Sequence, residues 1–322
     1  MILCVTLNPC LDKTLVVPPW EPGDLVRGQR IQEVVGGKGN NVARVLSRLG
    51  HTVRPVTFLG GPIGGYCEEL LRRDDALDPV IIRTQSPTRT ILTVRTGDSN
   101  EQSAFFDPDP NITPEEAVEL RDRISEILAS ETIEALTLSG SSPHKNTHSL
   151  YSELVAVARD CGVPVFLDTY GPALKGIEQS WPNVMQVNRK EAAGRLGRSE
   201  IQDADVIALL DDWSRHGVQL GVVTDGPRPA LVNHQGRFLR AIPPSIEVVN
   251  PIGSGDSLLA GLVDAWLARR DPEEIVRNGL ACAVANALVW DPGDIQGEQV
   301  ARQRDAIAVE PLDTSGSAAS RA

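Results

Sequence analysis

The sequence has few cysteines, and they form no pattern typical of a disulfide framework or a zinc site. Five cysteines occur among 322 residues, an odd number, and no CxxC pair is present. Disulfide-rich domains and structural zinc sites need cysteines at short, regular spacings. We therefore expect a reduced, cytoplasmic setting.

Positive charge and aromatic residues are also scarce. The chain has 31 Lys and Arg against 43 Asp and Glu, a net charge of −12, and it contains no basic tract. This charge disfavours nonspecific binding to nucleic acid or to an anionic membrane, so we expect neither as a partner. An anionic substrate would need a local cationic pocket. With 41% hydrophobic and 4% aromatic residues, the composition is typical of a soluble α/β enzyme.

A glycine-rich motif, Gly253-Ser-Gly-Asp256, directly precedes an apolar helix predicted at Leu258–Arg269. The first N–H groups of a helix lack intrahelical partners, and the helix dipole favours negative charge beside them. A phosphate held there, with Asp256 within reach of an incoming hydroxyl, provides the parts needed for phosphoryl transfer. An ordinary glycine turn, with Asp256 as a helix-start residue, would have the same pattern.

A second glycine motif, Gly36-Gly-Lys-Gly-Asn-Asn41, is followed by apolar residues at helical spacing up to Leu49. Glycine permits close approach of the backbone to a ligand, and Lys38 and the two asparagines offer donors to hydroxyl or phosphate oxygens. The motif lacks the spacing of a Walker loop, and no GxGxxG fingerprint follows the first strand. A tight turn into a helix is the alternative.

Strands alternate with helices over most of the chain, which predicts a largely parallel sheet covered on both faces. The predicted strands are Ile2–Leu7, Val53–Phe58, Ala135–Ser139, Val163–Asp168, Asn183–Val187 and Gln219–Thr224. Ligands bind beyond the carboxyl ends of strands in such folds. The polar groups at these positions are Asn8, Asp12, Gly60-Gly61, Ser139–Ser142, Asp168, Asn188 and Asp225-Gly226.

A different pattern interrupts the alternation. Thr88–Phe106 is rich in β-branched residues and turns at Gly97-Asp98, which predicts a hairpin. Together with Thr14–Val17 and Leu25–Val35, it indicates a small separate sheet. Residues 311–322 are small and polar and are predicted to form a disordered tail.

The motifs Gly36–Arg44 and Gly253–Ser257 resemble the two signatures of the ribokinase-like (PfkB) sugar kinases. Within that family, Thr6–Asp12, Thr88-Arg89, Leu138–Pro143 and Asp168–Gly171 resemble the phosphosugar branch, which includes 1-phosphofructokinase, tagatose-6-phosphate kinase and the minor 6-phosphofructokinase. The resemblance runs from residue 1 to about residue 309.

The resemblance implies a ribokinase-like α/β fold: a mostly parallel central sheet flanked by helices in an αβα sandwich, with a small β-sheet lid. It implies one kinase domain over residues 1–310, with lid segments at about 12–35 and 87–107. The lid sheet of this family often pairs with a second subunit, so a homodimer is expected.

The resemblance also implies roles for individual residues. Asp256 would be the base that takes the proton from the attacking sugar hydroxyl, and Gly253, Ser254 and Gly255 would form an anion hole. A further set would hold the phosphosugar: Asp12, Arg27, Gly37, Lys38, Asn41, Arg89 and Ser139. Arg89 would clamp the phosphate already on the substrate, with help from Lys38 and Arg27.

ATP and Mg²⁺ are the cofactors that the resemblance implies. Asn188 and Glu191 match the family's N-x-x-E element, which is associated with Mg²⁺ and the triphosphate, although the same spacing is typical of a helix capping box. The nucleotide would contact Asn188, Thr224, Asp225, Gly226 and Asn286.

The chain departs from the family at several positions, notably Ser254 for Ala and Gln186-Val187 for the Lys-Pro that usually precedes Asn188. The expected activity is the ATP-dependent phosphorylation of fructose 1-phosphate to fructose 1,6-bisphosphate. Tagatose 6-phosphate or fructose 6-phosphate as substrate is the first alternative. The second is a non-catalytic sugar-phosphate sensor on a kinase fold.

Overall fold

The computed structural model describes residues 1–96 and 102–313. Its strands are β1 Ile2–Thr6, β2 Cys10–Val17, β3 Arg30–Gly36, β4 Val53–Gly60, β5 Val80–Thr84, β6 Arg89–Thr96, β7 Gln102–Phe106, β8 Ala135–Ser139, β9 Val165–Asp168, β10 Val184–Asn188, β11 Leu220–Asp225, β12 Arg228–His234, β13 Arg237–Ile242 and β14 Ala308–Pro311. Its α-helices are α1 Lys38–Arg48, α2 Gly61–Arg73, α3 Pro114–Ser130, α4 Leu150–Asp160, α5 Pro172–Gly176, α6 Arg189–Arg195, α7 Asp203–Arg215, α8 Ser254–Leu267, α9 Pro272–Ala287 and α10 Gly297–Arg304.

The main sheet has the strand order β14-β13-β12-β11-β10-β9-β8-β1-β4-β5. All pairs from β5 through β11 are parallel, and the pairs from β11 to β14 are antiparallel. The predicted, mostly parallel sheet is therefore confirmed. After β1 the chain first extends the sheet on one side, through β4 and β5, and then on the other, from β8. Such a reversal opens a crevice at the carboxyl ends of the strands, which is where ligands bind in this class of fold.

Helices cover both faces of this sheet, as expected for an αβα sandwich. In β1, Ile2 and Cys4 pack into one core while Leu3 and Val5 pack into the other, because successive side chains of a strand point to opposite faces. The first core includes residues of α1, α8 and α9, and the second includes residues of α3, α4 and α7. Burial on both faces explains why the central strands are continuously apolar in the sequence.

The small sheet has the order β3-β2-β6-β7. The antiparallel pairing of β6 with β7 confirms the predicted hairpin strands, while the predicted turn at Gly97-Asp98 lies outside the described residues. The tail predicted to be disordered from residue 311 begins in order, because Pro311 belongs to β14 and the N–H of Leu312 donates to the carbonyl of Phe238; from residue 314 it lies outside the described residues. The segment predicted as Leu25–Val35 becomes a strand only at Arg30, and its first part contains Gly28, a residue that disfavours a strand interior. Within residues 1–96 and 102–313, no helix has the length and apolar character needed to cross a membrane.

Helix α3 starts with a capping box. Thr113 accepts a hydrogen bond from the N–H of Glu116, whose side chain in turn accepts from the N–H of Thr113, with Pro114 in the first turn. The antiparallel strands β12 and β13 were not predicted. They are joined by Gln235 and Gly236, both at positive φ, as a two-residue hairpin turn requires.

Candidate active site

The two glycine motifs meet in one cleft of about 640 Å³ at the carboxyl ends of the central strands, next to the small sheet. Of the residues proposed from the sequence, it is lined by Asp12, Gly37, Lys38, Asn41, Arg89, Asn188, Glu191, Thr224, Gly226, Gly253, Ser254, Gly255 and Asp256. Helix α1 follows β3 and helix α8 starts more than 200 residues later, so only the packing of α1 against α8 brings the motifs together.

The loop before α8 has the geometry of an anion site. Gly253, at φ 80°, turns the chain into the helix, and no side chain caps its N-terminus. Among the described residues, the backbone N–H groups of Gly255 and Asp256 have no hydrogen-bond acceptor, while that of Ser254 turns back to the carbonyl of Pro251 at 3.3 Å. Unpaired donors at the positive end of a 14-residue helix fit a phosphate group.

Asn286 supports this loop from behind. Its Nδ2 donates to the carbonyl of Ile252 at 2.8 Å and to the hydroxyl of Ser254 at 3.1 Å, while its Oδ1 accepts from the N–H of Gly293. Its side chain is buried and does not line the cleft. A direct contact of Asn286 with a nucleotide stays a prediction, whereas its support of the Gly253 turn is part of the structure.

Asp256 is buried beside two residues of the first motif. Burial raises the pKa of its carboxyl, while the positive charge of Lys38 and a hydrogen bond from Asn41 oppose the rise. The Nδ2 atom of Asn41 donates to Asp256 Oδ2 at 2.7 Å. A buried carboxylate with an elevated pKa, facing a cleft, is well suited to take a proton from a hydroxyl group.

Glycine is needed where the first motif enters α1. Gly37 has φ 104°, and a Cβ atom there would lie 2.6 Å from a methyl carbon of Thr6. A Cβ on Gly39 would lie 2.3 Å from the carbonyl oxygen of Val5. The two glycines therefore let α1 approach the end of β1 closely. This approach places Lys38 at the mouth of the crevice.

Lys38 bridges two carboxylates from different elements. Its Nζ lies 2.8 Å from Oδ1 of Asp168, the last residue of β9, and 3.0 Å from Glu191 Oε1, on α6. Burial alone would lower the pKa of Lys38, but the charges of Asp168, Glu191 and Asp256 outweigh it, so the pKa is raised and the ammonium stays charged. Burial raises the pKa of Asp168, and Lys38 partly opposes that rise.

Asp12 and Arg89 face the cleft from the small sheet. Burial raises the pKa of Asp12 to about 6, against the charges of Arg89 and Arg44. Arg89 donates to Asp109 Oδ1 at 2.9 Å and more weakly to the carbonyl of Asn8. Asp109 also accepts from the Asn8 amide, so the guanidinium is held by a partner that sequence reasoning did not include.

Asn188 and Glu191 form the capping box that starts α6. Asn188 Oδ1 accepts from the N–H of Glu191, and Glu191 Oε2 accepts from the N–H of Asn188, both at 2.9 Å. The second oxygen of Glu191 faces Lys38 in the cleft. The N-x-x-E spacing therefore has a structural role, and Glu191 is also at the site.

The oxygen atoms around Glu191 fit Mg²⁺. Asp168 and Gln186 line the cleft. Their atoms Oδ2 and Oε1 are buried and have no hydrogen-bond partner within the described parts of the chain. Mg²⁺ prefers oxygen ligands and is usually held by one or two carboxylates together with phosphate groups and water. The sequence identifies Gln186 only as a departure from the family pattern. The position of its unpaired oxygen in the cleft follows from the tertiary structure.

The other end of the cleft is apolar and fits a nucleotide base. Its wall consists of Pro243, Pro244, Ile246, Val248, Pro251, Ile252, Leu280, Ala283, Val284 and Ala287. Thr224 and Gly226 lie beside it. Small and branched apolar residues of α9 and of the segment after β13 thus form a slot of the kind that binds flat ligands.

Besides Asn286, three more of the proposed residues do not line the cleft. Asp225 turns outward and pairs with Arg189 at 2.7 Å and Arg228 at 2.8 Å. Arg27 is exposed on the connection between β2 and β3, and Ser139 is fully buried beneath the cleft, which is lined instead by Ser141. The period-2 alternation of β8 and β11 turns the side chains of Ser139 and Asp225 away from the pocket.

Comparisons with known proteins agree with this architecture. The family described as pfkB family carbohydrate kinase matches residues 5–294. The tagatose-6-phosphate kinase of Staphylococcus epidermidis is 27% identical over 302 residues, which cover 93% of this chain and 96% of that protein.

Two solved structures have the same fold. The protein of Thermotoga maritima described as a possible 1-phosphofructokinase is 25% identical, with a TM-score of 0.87 and coverage of 97% of this chain and 100% of that one. The phosphofructokinase-2 of Escherichia coli is 25% identical, with a TM-score of 0.86 and coverage of 95% and 98%.

By class, then, the protein is a phosphotransferase that acts on a sugar hydroxyl. The chain belongs to the PfkB family of carbohydrate kinases. The resemblance drawn from the two glycine motifs is confirmed, as is the fold it implies.

Proposed function

We propose that this chain transfers the terminal phosphate of ATP to a sugar that already bears a phosphate, and that the acceptor is fructose 1-phosphate. The observation that supports a phosphorylated acceptor is the presence of two cations, Lys38 and Arg89, in the same cleft as Asp256. A neutral sugar would not need both. Arginine suits the task because its planar guanidinium binds phosphate through two parallel hydrogen bonds.

In this proposal Asp256 takes the proton from the attacking hydroxyl as the new bond from the sugar oxygen to the terminal phosphorus forms and the bond from that phosphorus to the departing ADP breaks. The unpaired N–H groups at the start of α8 stabilise the negative charge on the transferring group. Asp12 orients the sugar by accepting from its hydroxyls, and Arg89 binds the existing phosphate. Mg²⁺, held through Glu191 with Asp168 and Gln186 nearby, would neutralise charge on the triphosphate.

Tagatose 6-phosphate is the second candidate acceptor, since a kinase of that sugar phosphate is similar to this chain over 302 residues. The two candidates differ in where the existing phosphate lies relative to the reacting hydroxyl. Release of ADP should be measured with fructose 1-phosphate, tagatose 6-phosphate, fructose 6-phosphate and adenosine. Highest kcat/KM with fructose 1-phosphate supports the proposal, and preference for adenosine would refute a phosphorylated acceptor.

We further propose that the small sheet forms a lid that pairs with a second copy of the chain. Strand β7 is an edge strand, and its Phe105 and Phe106 are 54% and 63% exposed. Neighbouring residues of a strand point to opposite faces, so this edge leaves apolar surface on both. Uncovered apolar edge strands favour association, and a homodimer would cover this one.

A further inference from the structure

A chain of buried hydrogen bonds connects Asp256 to a residue far outside the cleft. Arg44, on α1, donates through Nη1 to Asn41 Oδ1 at 2.9 Å, and Asn41 donates to Asp256. On its other side, Arg44 binds Asp75 through two parallel bonds, Nε to Oδ1 at 2.6 Å and Nη2 to Oδ2 at 2.8 Å. Asp75 follows α2 and does not line the cleft.

The chemistry of these groups permits one orientation of the Asn41 amide. A guanidinium can only donate hydrogen bonds, so the atom of Asn41 that faces Arg44 must be the oxygen. The amide nitrogen then faces Asp256, where an ionised carboxylate can only accept. Without a donor at the Arg44 position, the amide could rotate by half a turn and place its oxygen against the carboxylate.

Arg44 is itself fixed from several directions. It is 6% exposed, and its Nη2 also donates to the carbonyl of Val35 at 3.0 Å. The fork of bonds to Asp75 sets the plane of the guanidinium, which Lys could not do because its ammonium is a point charge. Its position three residues after Asn41 on α1 places both side chains on one face of the helix.

We propose that Arg44 and Asp75 are positioning residues for the kinase reaction: they fix the amide of Asn41, which in turn holds the carboxylate of Asp256 in line with the acceptor hydroxyl. The inference rests on the proposed function for the role of Asp256 as base. Misplacement of a reacting group by about 1 Å can cost roughly a hundredfold in rate.

The first experiment measures steady-state kinetics of Arg44→Lys, Asp75→Asn and wild type, with ATP and the preferred sugar phosphate each varied in turn. Arg44→Lys keeps the charge but loses the fork, and kcat should fall roughly ten- to hundredfold while both KM values change less than threefold. The kcat of Asp75→Asn should also fall. Asp74→Asn is the matched control, because Asp74 is the neighbouring residue and, within the described residues, its side chain pairs with exposed Arg73 alone.

A double variant tests whether Arg44 acts through Asn41. If it does, Asn41→Ala combined with Arg44→Lys should lose no more kcat than Asn41→Ala alone, because the link is already broken. Independent, multiplying losses would overturn the proposal. So would an Arg44→Lys enzyme with kcat within twofold of wild type while Asp256→Asn is inactive.

The pH dependence separates positioning from general destabilisation. Several charged groups face Asp256, namely Lys38, Glu191, Arg44, Asp12 and Asp168. Burial raises the pKa of Asp256, and the positive charge of Arg44 opposes that rise. Arg44→Met should therefore move the acid limb of the kcat profile to higher pH, while Arg44→Lys, which keeps the charge, should leave it in place. An unmoved acid limb in Arg44→Met would contradict the electrostatic influence of Arg44 on Asp256.

If wild type phosphorylates none of the sugar phosphates, a crystal structure of Arg44→Lys tests the positioning chain in place of kinetics. Inactivity of wild type would refute the proposed acceptor and not the positioning chain. The separation of Asn41 Nδ2 and Asp256 Oδ2 should then increase from 2.7 Å to beyond hydrogen-bond distance. An unchanged separation would overturn the proposal.

Discussion

The ammonium of Lys38 lies 3.0 Å from the carboxylate of Glu191, a residue 153 positions away in the sequence. One residue belongs to the predicted sugar-binding motif and the other to the predicted metal element. Lys38 contacts Asp168 as well. A change of charge at one of these groups therefore alters the electrostatic potential at the others. In the proposed function, Lys38 would therefore couple the sugar and nucleotide subsites electrostatically.

Replacement of the proposed base should abolish catalysis and leave binding intact. We expect Asp256→Asn to lose roughly 10²–10⁴-fold in kcat, because an amide cannot accept the hydroxyl proton. Isothermal titration should still detect sugar phosphate and nucleotide binding. Asp264→Asn, on the same helix but outside the cleft, is the control. A kcat for Asp256→Asn within tenfold of wild type would contradict the assignment.

Removal of the guanidinium of Arg89 should weaken binding of the sugar phosphate selectively. A hydrogen bond to a charged group contributes about 1.5–3 kcal/mol, so Arg89→Ala should raise KM for the phosphosugar roughly ten- to hundredfold. KM for ATP should change little. Steady-state kinetics with each substrate varied would test this, with exposed Arg83→Ala as control. Equal effects on both KM values would refute the phosphate clamp.

The metal requirement should depend on Glu191. Glutamine in its place preserves the capping box of α6, since Glu and Gln both serve at that position, but removes the negative charge. We expect Glu191→Gln to raise the Mg²⁺ concentration for half-maximal rate roughly ten- to hundredfold. Glu178→Gln, an exposed glutamate paired with Arg195, should leave the requirement unchanged. Identical Mg²⁺ titrations of Glu191→Gln and wild type would exclude the role.

Asp12 should reduce stability at neutral pH. Burial raises its pKa from an ordinary 3.8 to about 6, so the folded protein binds the proton more tightly than the unfolded chain does. By linkage, this contribution to the free energy of unfolding falls as pH rises from about 4 to about 6. Above pH 6, the shifted pKa of Asp12 lowers the free energy of unfolding by about 3 kcal/mol relative to its value below pH 4.

Urea unfolding of Asp12→Asn and wild type at several pH values measures this effect. The variant should gain stability relative to wild type at pH 7.5, and the gain should shrink towards pH 4. Exposed Asp24→Asn should show no such trend. A gain that is constant with pH would mean that ionisation of Asp12 is not its cause.

A polar edge on the small sheet should prevent self-association. Phe106→Glu places a charge on edge strand β7, and we expect light scattering to report half the mass of wild type. Val118→Glu, which alters an exposed apolar residue of α3, should leave the mass unchanged. A wild-type protein that is monomeric at micromolar concentration would refute pairing through the lid.

Local features were largely predictable from the sequence. The caps at Thr113 and Asn188, the parallel strands and the two glycine turns depend on residues a few positions apart. The hairpin of β12 and β13 was not predicted, because the strand–helix alternation on its N-terminal side indicates a further parallel unit, and Gln235-Gly236 is a weaker turn signal than Asn-Gly. The partners of Arg89 and Lys38 were not predictable, since Asp109, Asp168 and Glu191 come from separate elements.

The sequence by itself determined the kinase family, the proposed base and the two glycine turns, because short motifs dictate their own backbone geometry. Tertiary structure alone decided which side chains meet in the cleft: it turned Asp225 and Ser139 away and brought Asp75 into contact with Arg44. The reason is that burial and charge pairing act through space. The packing of α1 on α8 brings distant groups within hydrogen-bond distance, and the spacing of residues along the chain does not specify which groups these are.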